Sequence, residues 1–359
     1  MELKRWQRIA LKIALSLAST FVALLLAEGL FRLFADKPVL RGAWYLGTSY
    51  RILDDDTIVL RPELADPATY AHRPDRPTVV FLGDSFTEGF PFFGDEYFKH
   101  AYVGQIARAL SDANVINAGQ GETGTDQQVR IFEKYILPNV KPTIVVWQLY
   151  TNDIHENLNY AAFTVNDAGD ALVPLDGSKH WVHTRQAIYD KAPLPKSIKH
   201  GSYLFTSLLR ATERRPSIPS RYDEHWDRWS LDKIRLELAR MQAHAKTHGF
   251  TLIPFVIMPG AALAARTDPA WTYNGNTQWF KGIRDVLATT PTFVDTEPTT
   301  EDLARAMQQF GVDTIYMGDD DLAPAGDKHL NAAGHWLLVQ KLLPAIRAAL
   351  PPPPPAPSP

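Results

Sequence analysis

Five short, almost wholly apolar runs set the architecture of this chain: Thr78-Val-Val-Phe-Leu82, Val115-Ile116, Thr143-Ile-Val-Val-Trp-Gln-Leu149, Leu252-Ile-Pro-Phe-Val-Ile-Met258 and Thr292-Phe-Val294. Runs of this length, rich in β-branched residues and apolar on both faces, suit strands buried between two layers. The stretches between them carry helical periodicity. Ser230 or Asp232 can cap a helix from Asp232 to His248, with Ile234, Leu238, Met241 and Ala245 on one face and Gly249 at the C′ position. A second helix is expected from Asp126 to Tyr135 and a last one from Ala332 to Leu350. Strands alternating with helices predict an α/β fold with a mostly parallel sheet, whose site lies beyond the carboxyl ends of the strands.

The N-terminus reads differently. Lys4, Arg5, Arg8 and Lys12 form a basic flank, and Ile13 to Ala27 follows without a charge. Apolar character resumes after Glu28, so Ile13 to Phe34 reaches the ~20 residues that a helix needs to cross a bilayer. Glu28 and Arg32 stand four apart near its far end, where they can pair or reach headgroups. A cleaved signal peptide is the competing reading. No small-x-small cleavage site followed by a polar start is evident, so a signal anchor is expected. The positive-inside rule then leaves residues 1–12 in the cytoplasm and everything after 35 outside.

Residues 35–76 hold Pro38, Pro62, Pro67 and Pro74 and read as an irregular lead-in to a domain over 77–350. Within it, residues 155–229 break the alternation and are expected to form an insertion. Residues 351–359, PPPPPAPSP, form a solvated polyproline tail. A net charge of −3 argues against a nucleic-acid surface, and the absence of cysteine excludes disulfides and thiolate metal sites.

Four short motifs carry chemistry. Gly83-Asp84-Ser85-Phe86-Thr87 directly follows the first strand, where a serine at a strand-to-helix junction exposes its Oγ and turns its own N–H into the site. Asn117-Ala-Gly119-Gln-Gly121-Glu-Thr-Gly124 follows the second, and its glycines let backbone approach a ligand. These residues also spell the dinucleotide pattern G-x-G-x-x-G. The strand before them is short, however, and no acidic residue ends a strand at the ~20-residue spacing that a ribose contact requires. Tyr150-Thr151-Asn152-Asp153 ends the third long run, and the Asn152 carboxamide can donate to developing negative charge without titrating. Asp327-Lys328-His329-Leu330-Asn331 opens the last helix and pairs a histidine with an aspartate two residues before it.

In this order the four blocks resemble those of the SGNH/GDSL hydrolases, from about Pro77 to Leu350. Gly83-Asp-Ser-Phe-Thr-Glu-Gly89, Gly124-Thr-Asp-Gln-Gln128, Asn152-Asp-Ile-x-x-Asn157, His329-Leu-Asn-x-x-Gly-His335 and an N-terminal span ending Ala-Glu-Gly-Leu-Phe-Arg32 are similar to a membrane-attached branch of that family. The resemblance implies a flavodoxin-like three-layer α/β/α sandwich, preceded here by one transmembrane helix. It implies Ser85 as nucleophile, His329 as general base and Asp327 as its orienting carboxylate. The Ser85 N–H, the Gly121 N–H and the Asn152 side chain would hold an oxyanion, with Glu122 or Gly124 as other sources of the second donor. Many members place the aspartate three residues before the histidine rather than two. His335 is expected on the helix flank.

No cofactor or metal is implied, and the Asp319-Asp320-Asp321 run reads as a solvated loop. The expected substrates are carboxylic esters, among them O-acyl groups of envelope glycans or lipids. Trp181, Trp226, Trp229, Trp271 and Trp279 can either stack on sugars or pack the insertion. Two other functions remain open: an O-acyltransferase on the same site, served by a membrane acyl-donor partner, and a non-catalytic envelope-binding module.

Overall fold

The computed structural model describes residues 5–34, 51–52, 58–59, 73, 75–92, 95–121, 123–159, 162–174, 193, 195, 202, 204–205, 208, 222, 225–260, 276–317 and 329–352. The chain divides into two compact units: residues 1–49 with 181–214, and residues 50–180 with 215–359.

In the first unit, Arg5–Phe34 is one 30-residue helix. Its stretch Leu11–Leu30 is long and apolar enough to cross a membrane, and none of that stretch is buried in protein. Such a helix is compatible with a membrane anchor or with a signal sequence. Side chains such as Leu15, Leu17, Phe21 and Leu26 are all exposed, so the helix is apolar around its whole circumference. The expected Glu28–Arg32 pair forms, at 2.7 Å. The second Glu28 oxygen accepts from Ser202 Oγ at 2.8 Å and from the Leu204 N–H at 2.9 Å. Part of the expected insertion therefore ties to the end of this helix.

The second unit is built on four parallel strands: β3 (Thr78–Leu82), β4 (Asn114–Asn117), β5 (Ile144–Leu149) and β8 (Thr251–Val256), in the order β4-β3-β5-β8. A small antiparallel ribbon, β1 (Arg51–Ile52) with β2 (Ile58–Val59), lies within the expected lead-in. Another, β6 (Phe163–Val165) with β7 (Leu172–Pro174), lies within the insertion. Every residue of β3 and β5 is buried, because helices cover both faces of the sheet. Val80, Leu82, Val145, Trp147 and Leu252 pack on one side with the helices Thr125–Ile131, Trp226–His248 and Asn276–Leu287. Val79, Phe81, Val146, Ile253 and Phe255 pack on the other with Tyr102–Ala109, Thr300–Phe310 and Ala332–Ala349. This is the three-layer α/β/α sandwich with a parallel sheet, and the strand order has the flavodoxin-like form.

Three expectations shift. Thr292–Val294 runs beside β8 but forms no regular strand. Its neighbours are the outward carbonyls of β8: the Val294 N–H donates to Pro254 O at 3.1 Å, Thr292 Oγ1 donates to Leu252 O, and Thr296 Oγ1 donates to Val256 O at 2.6 Å. Pro254 sits at the centre of that row and has no N–H to return to this segment. The helix expected from Asp232 begins at Trp226 instead. Ser230, expected as a cap, lies inside the helix and is buried, while Trp229 packs down and donates to Thr164 Oγ1 in the β6–β7 ribbon at 3.3 Å. Helix Thr125–Ile131 passes into a π-helical turn, Phe132–Ile136. The helix after Asn331 forms as expected, with Asn331 Oδ1 accepting from Ala333 and Gly334 at 2.9 and 3.1 Å.

The Gly124–Gln128 motif supplies a buried polar seam beneath the insertion. Asp126 accepts from Lys233 Nζ at 2.9 Å and from the Ala162 and Phe163 N–H groups at 2.6 and 3.0 Å. Both members of this ion pair are fully buried. Burial and the nearby Asp126 charge push the carboxyl of Glu237 up to about 8, so it is protonated at neutral pH. Thr125 Oγ1 donates to Asn157 Oδ1 at 2.9 Å, and Gln128 joins the Trp147 indole at 2.7 Å to Asp153 at 3.2 Å. The second and third blocks are thereby locked together behind the sheet's carboxyl edge.

Candidate active site

The nucleophile turn begins where β3 runs out. Gly83 has φ +156°, and a Cβ there would stand 2.2 Å from Thr87 Oγ1 and 2.4 Å from Gln148 Oε1, so only glycine fits. Gln148 Oε1 accepts from the Asp84 N–H at 3.1 Å and from Thr87 Oγ1 at 2.8 Å. Asp84 Oδ1 caps the short helix Ser85–Glu88 by accepting from the Phe86 N–H at 2.9 Å. Ser85 is thus fixed at a strand-to-helix corner, half-buried, with its N–H given to no acceptor among the described residues.

His329 arrives from the far end of the chain. Its backbone O accepts from the Met317 N–H at 2.8 Å, beside a single antiparallel bridge between Tyr316 and Leu330. Tyr316 OH in turn donates to Met258 O, just past the end of β8. This strap places His329 Nε2 2.7 Å from Ser85 Oγ. The ring is stacked on Phe86, centroids 4.8 Å apart, and met by the Phe90 ring at 4.7 Å. Burial between these rings lowers the imidazole pKa to about 4, so His329 is neutral and able to accept a proton through the neutral range.

Asn152 follows β5, the strand beside β3. It is half-buried, and its carboxamide bonds to no described residue, Oδ1 included. An amide with no protein partner can present its Nδ2 to a ligand. Its neighbour Asp153 accepts from the Tyr150 N–H at 2.7 Å and from Gln128. Burial, and then the proximity of Asp84, raise the Asp153 carboxyl well above the usual range.

Gly121 lies beyond β4, but its N–H is taken: it donates to Glu88 Oε2 at 2.9 Å. Nothing in the local sequence assigns Glu88 a role in the site. The usable signal was its position three residues after Ser85, on the same helical turn. Asp327 and Glu122 fall outside the described residues, as do the Asp319–Asp321 run, Trp181 and Trp271. His335 is on the last helix as expected, yet it is fully buried rather than on an open flank. Its Nδ1 accepts from the Tyr102 N–H at 3.2 Å, and burial followed by the neighbouring His329 lowers its pKa to about 3. Trp229 is buried against the insertion, and Trp279 is half-buried, edge-on to His155 at 4.8 Å. Among the described residues no group of three or more His, Cys, Asp or Glu is arranged to hold a metal.

A serine–histidine pair at the carboxyl edge of a parallel sheet, on a corner other than the G-x-S-x-G elbow, has the geometry of a nucleophile beside a general base. The chain belongs to the GDSL-like lipase/acylhydrolase family, whose model matches residues 81–337. No curated protein matches it. Solved structures similar to it include an acetyl xylan esterase variant from Geobacillus stearothermophilus, at 16% identity, covering 75% of this chain and 94% of that one, with a TM-score of 0.40. A GDSL-like lipase from Bacteroides thetaiotaomicron is 15% identical, covering 80% and 96%, with a TM-score of 0.38. The structure of TesA is 14% identical, covering 76% and 99%, with a TM-score of 0.40.

Proposed function

We propose that this chain is a membrane-anchored, extracytoplasmic serine esterase that forms an acyl-serine on Ser85. The observation that carries the reading is the 2.7 Å contact between Ser85 Oγ and His329 Nε2. His329 takes the Ser85 proton as Oγ bonds to the ester carbonyl carbon. The carbonyl oxygen becomes the oxyanion, held by the Ser85 N–H and the Asn152 amide. His329 then gives its proton to the departing alkoxide, which leaves as the alcohol, and the acyl group stays on Ser85. Water, losing a proton to His329, adds to the acyl carbon. The second intermediate collapses to release the acid, and the proton returns to Ser85 Oγ. Asp327, two residues before His329, is the carboxylate we assign to orient its ring.

The Leu11–Leu30 stretch and the basic residues before it support an anchor with a cytoplasmic N-terminus. In that location O-acyl groups on envelope glycans or lipids are the substrates proposed. A fluorophosphonate probe tests the chemistry: it should label the full chain and fail to label Ser85→Ala. A folded wild type that stays unlabelled would overturn the esterase. Reporter fusions after Phe34 test the anchor separately, and reporter activity on the cytoplasmic side would reverse the orientation.

A further inference from the structure

We propose that Glu88 is a positioning residue of this site, holding the second block in place through the Gly121 N–H and so removing that N–H from the oxyanion site. The inference rests on the acyl-serine reading above.

The helical turn Ser85–Glu88 and the segment Asn117–Gly121 are stitched together along their length. Asn117 Nδ2 donates to Thr87 O at 2.8 Å, and the Gln120 N–H donates to Gly83 O at 3.0 Å. A Cβ on Gly119 would stand 2.3 Å from Glu88 N and 2.6 Å from Thr87 C, so the two backbones touch there. The last stitch is the carboxylate of Glu88 on the Gly121 N–H at 2.9 Å. It is the one charge-assisted bond in the set, and such bonds are about twice as strong as neutral ones.

A tetrahedral oxyanion seated on the same N–H would lie against the carboxylate that already occupies it. Two like charges at that separation repel strongly in a half-buried cleft. Glu88 would have to leave its bond for Gly121 to serve, and that would free the turn it holds. The arrangement is self-consistent only if Gly121 is a fastening point. Glu88 then acts through the loop and does not touch the substrate. Its effect on rate comes from where the second block stands relative to Ser85, which is three residues away on the same turn.

Two measurements on the full chain in detergent micelles test this. In the first, [15N]glycine labelling with Gly121→Ala for assignment follows the Gly121 amide proton against pH. It should shift when acid protonates the Glu88 carboxylate that it donates to, and Glu88→Gln should abolish that movement. In the second, Glu88→Ala should slow turnover of an activated short-chain ester by about tenfold to a hundredfold, through kcat with KM little changed. Glu88→Gln keeps an acceptor oxygen and should recover most of the rate. A Gly121 amide indifferent to pH overturns the proposal, as does an alanine variant with wild-type kcat. If the wild type itself forms no acyl-serine, the esterase reading fails instead, and the Gly121 titration alone decides whether Glu88 holds the block.

Discussion

Ser85 and His329 are 244 residues apart in sequence, and their Oγ and Nε2 atoms stand 2.7 Å apart at the carboxyl edge of the sheet. Replacing either by alanine removes one partner of a unit that acts together, so each loss should be nearly as large as both. We expect kcat for an activated ester to fall at least about 10³-fold in Ser85→Ala, in His329→Ala and in the double variant. Steady-state kinetics on the three proteins check this, and additive losses would mean that the pair does not act as one.

The aromatic packing of His329 makes a statement about pH. Burial lowers its pKa to about 4, and the neutral ring is the form that accepts the serine proton. Activity should therefore hold at pH 5, where a solvated histidine is mostly charged, and fall as the pH drops below that. Phe90→Ala lets water reach the ring and should move the acid limb of kcat/KM up toward 6.5. A carboxylate at Asp327 favours the imidazolium, so Asp327→Asn should move the limb down. A pH–rate profile that is the same in all three proteins would show that the limb does not belong to His329.

His335 makes a separate statement about acid stability. Its folded pKa is depressed to about 3 from an ordinary 6.5. Between these values the unfolded chain binds a proton that the folded chain does not, so stability is intact above pH 6.5 and drains away as the pH falls toward 3. At pH 4 the loss is on the order of 3 kcal/mol. In His335→Gln, which keeps an acceptor for the Tyr102 N–H, the drop in urea-unfolding free energy from pH 7 to 4 should be smaller by that amount. Parallel curves for the two proteins would contradict it.

The Asp126–Lys233 pair lies wholly out of water, so losing one member strands the other. Lys233→Met should cost about 3–5 kcal/mol in urea unfolding. Adding Asp126→Asn should restore part of that loss, because the stranded charge goes with it. A double variant less stable than the single would show that the charge on Asp126 is needed by its other partners, Arg130 and the Ala162 and Phe163 N–H groups.

Gly83→Ala tests the corner beneath the nucleophile. Its new Cβ meets two polar side-chain atoms closer than real contacts allow, at a φ that alanine rarely takes. The strain should cost upwards of about 1 kcal/mol and lower kcat as well, since Thr87 and Gln148 must move with the turn. Unchanged stability and rate would mean that the corner relaxes freely.

The strands were legible because burial on both faces leaves a plain trace: Thr78–Leu82 and Ile144–Leu149 contain almost nothing polar. Ser85 and His329 were legible through block order, and the structure brings their side chains together. What stayed hidden depends on contacts across the fold. Whether a serine near a helix start caps it or lies inside it turns on where Trp229 finds cover, which no local pattern states. Glu88 carries no local sign of its role, because its partner Gly121 is brought to it by β4. His335 shows no helical-face signal that separates an open flank from a buried one, because its cover comes from Tyr102 on a distant helix.

Pro254 bears on what happens before the molecule is finished. The outer rim of β8 offers carbonyls but lacks the central donor that a visiting strand would need to zip onto it. A partly folded chain has this rim bare until residues 292–296 arrive, and at that stage another copy could pair with it. The missing donor makes that mispairing poor while still letting the chain's own segment settle through acceptor bonds. Pro254 thus takes away one donor that edge-to-edge aggregation at this rim would use.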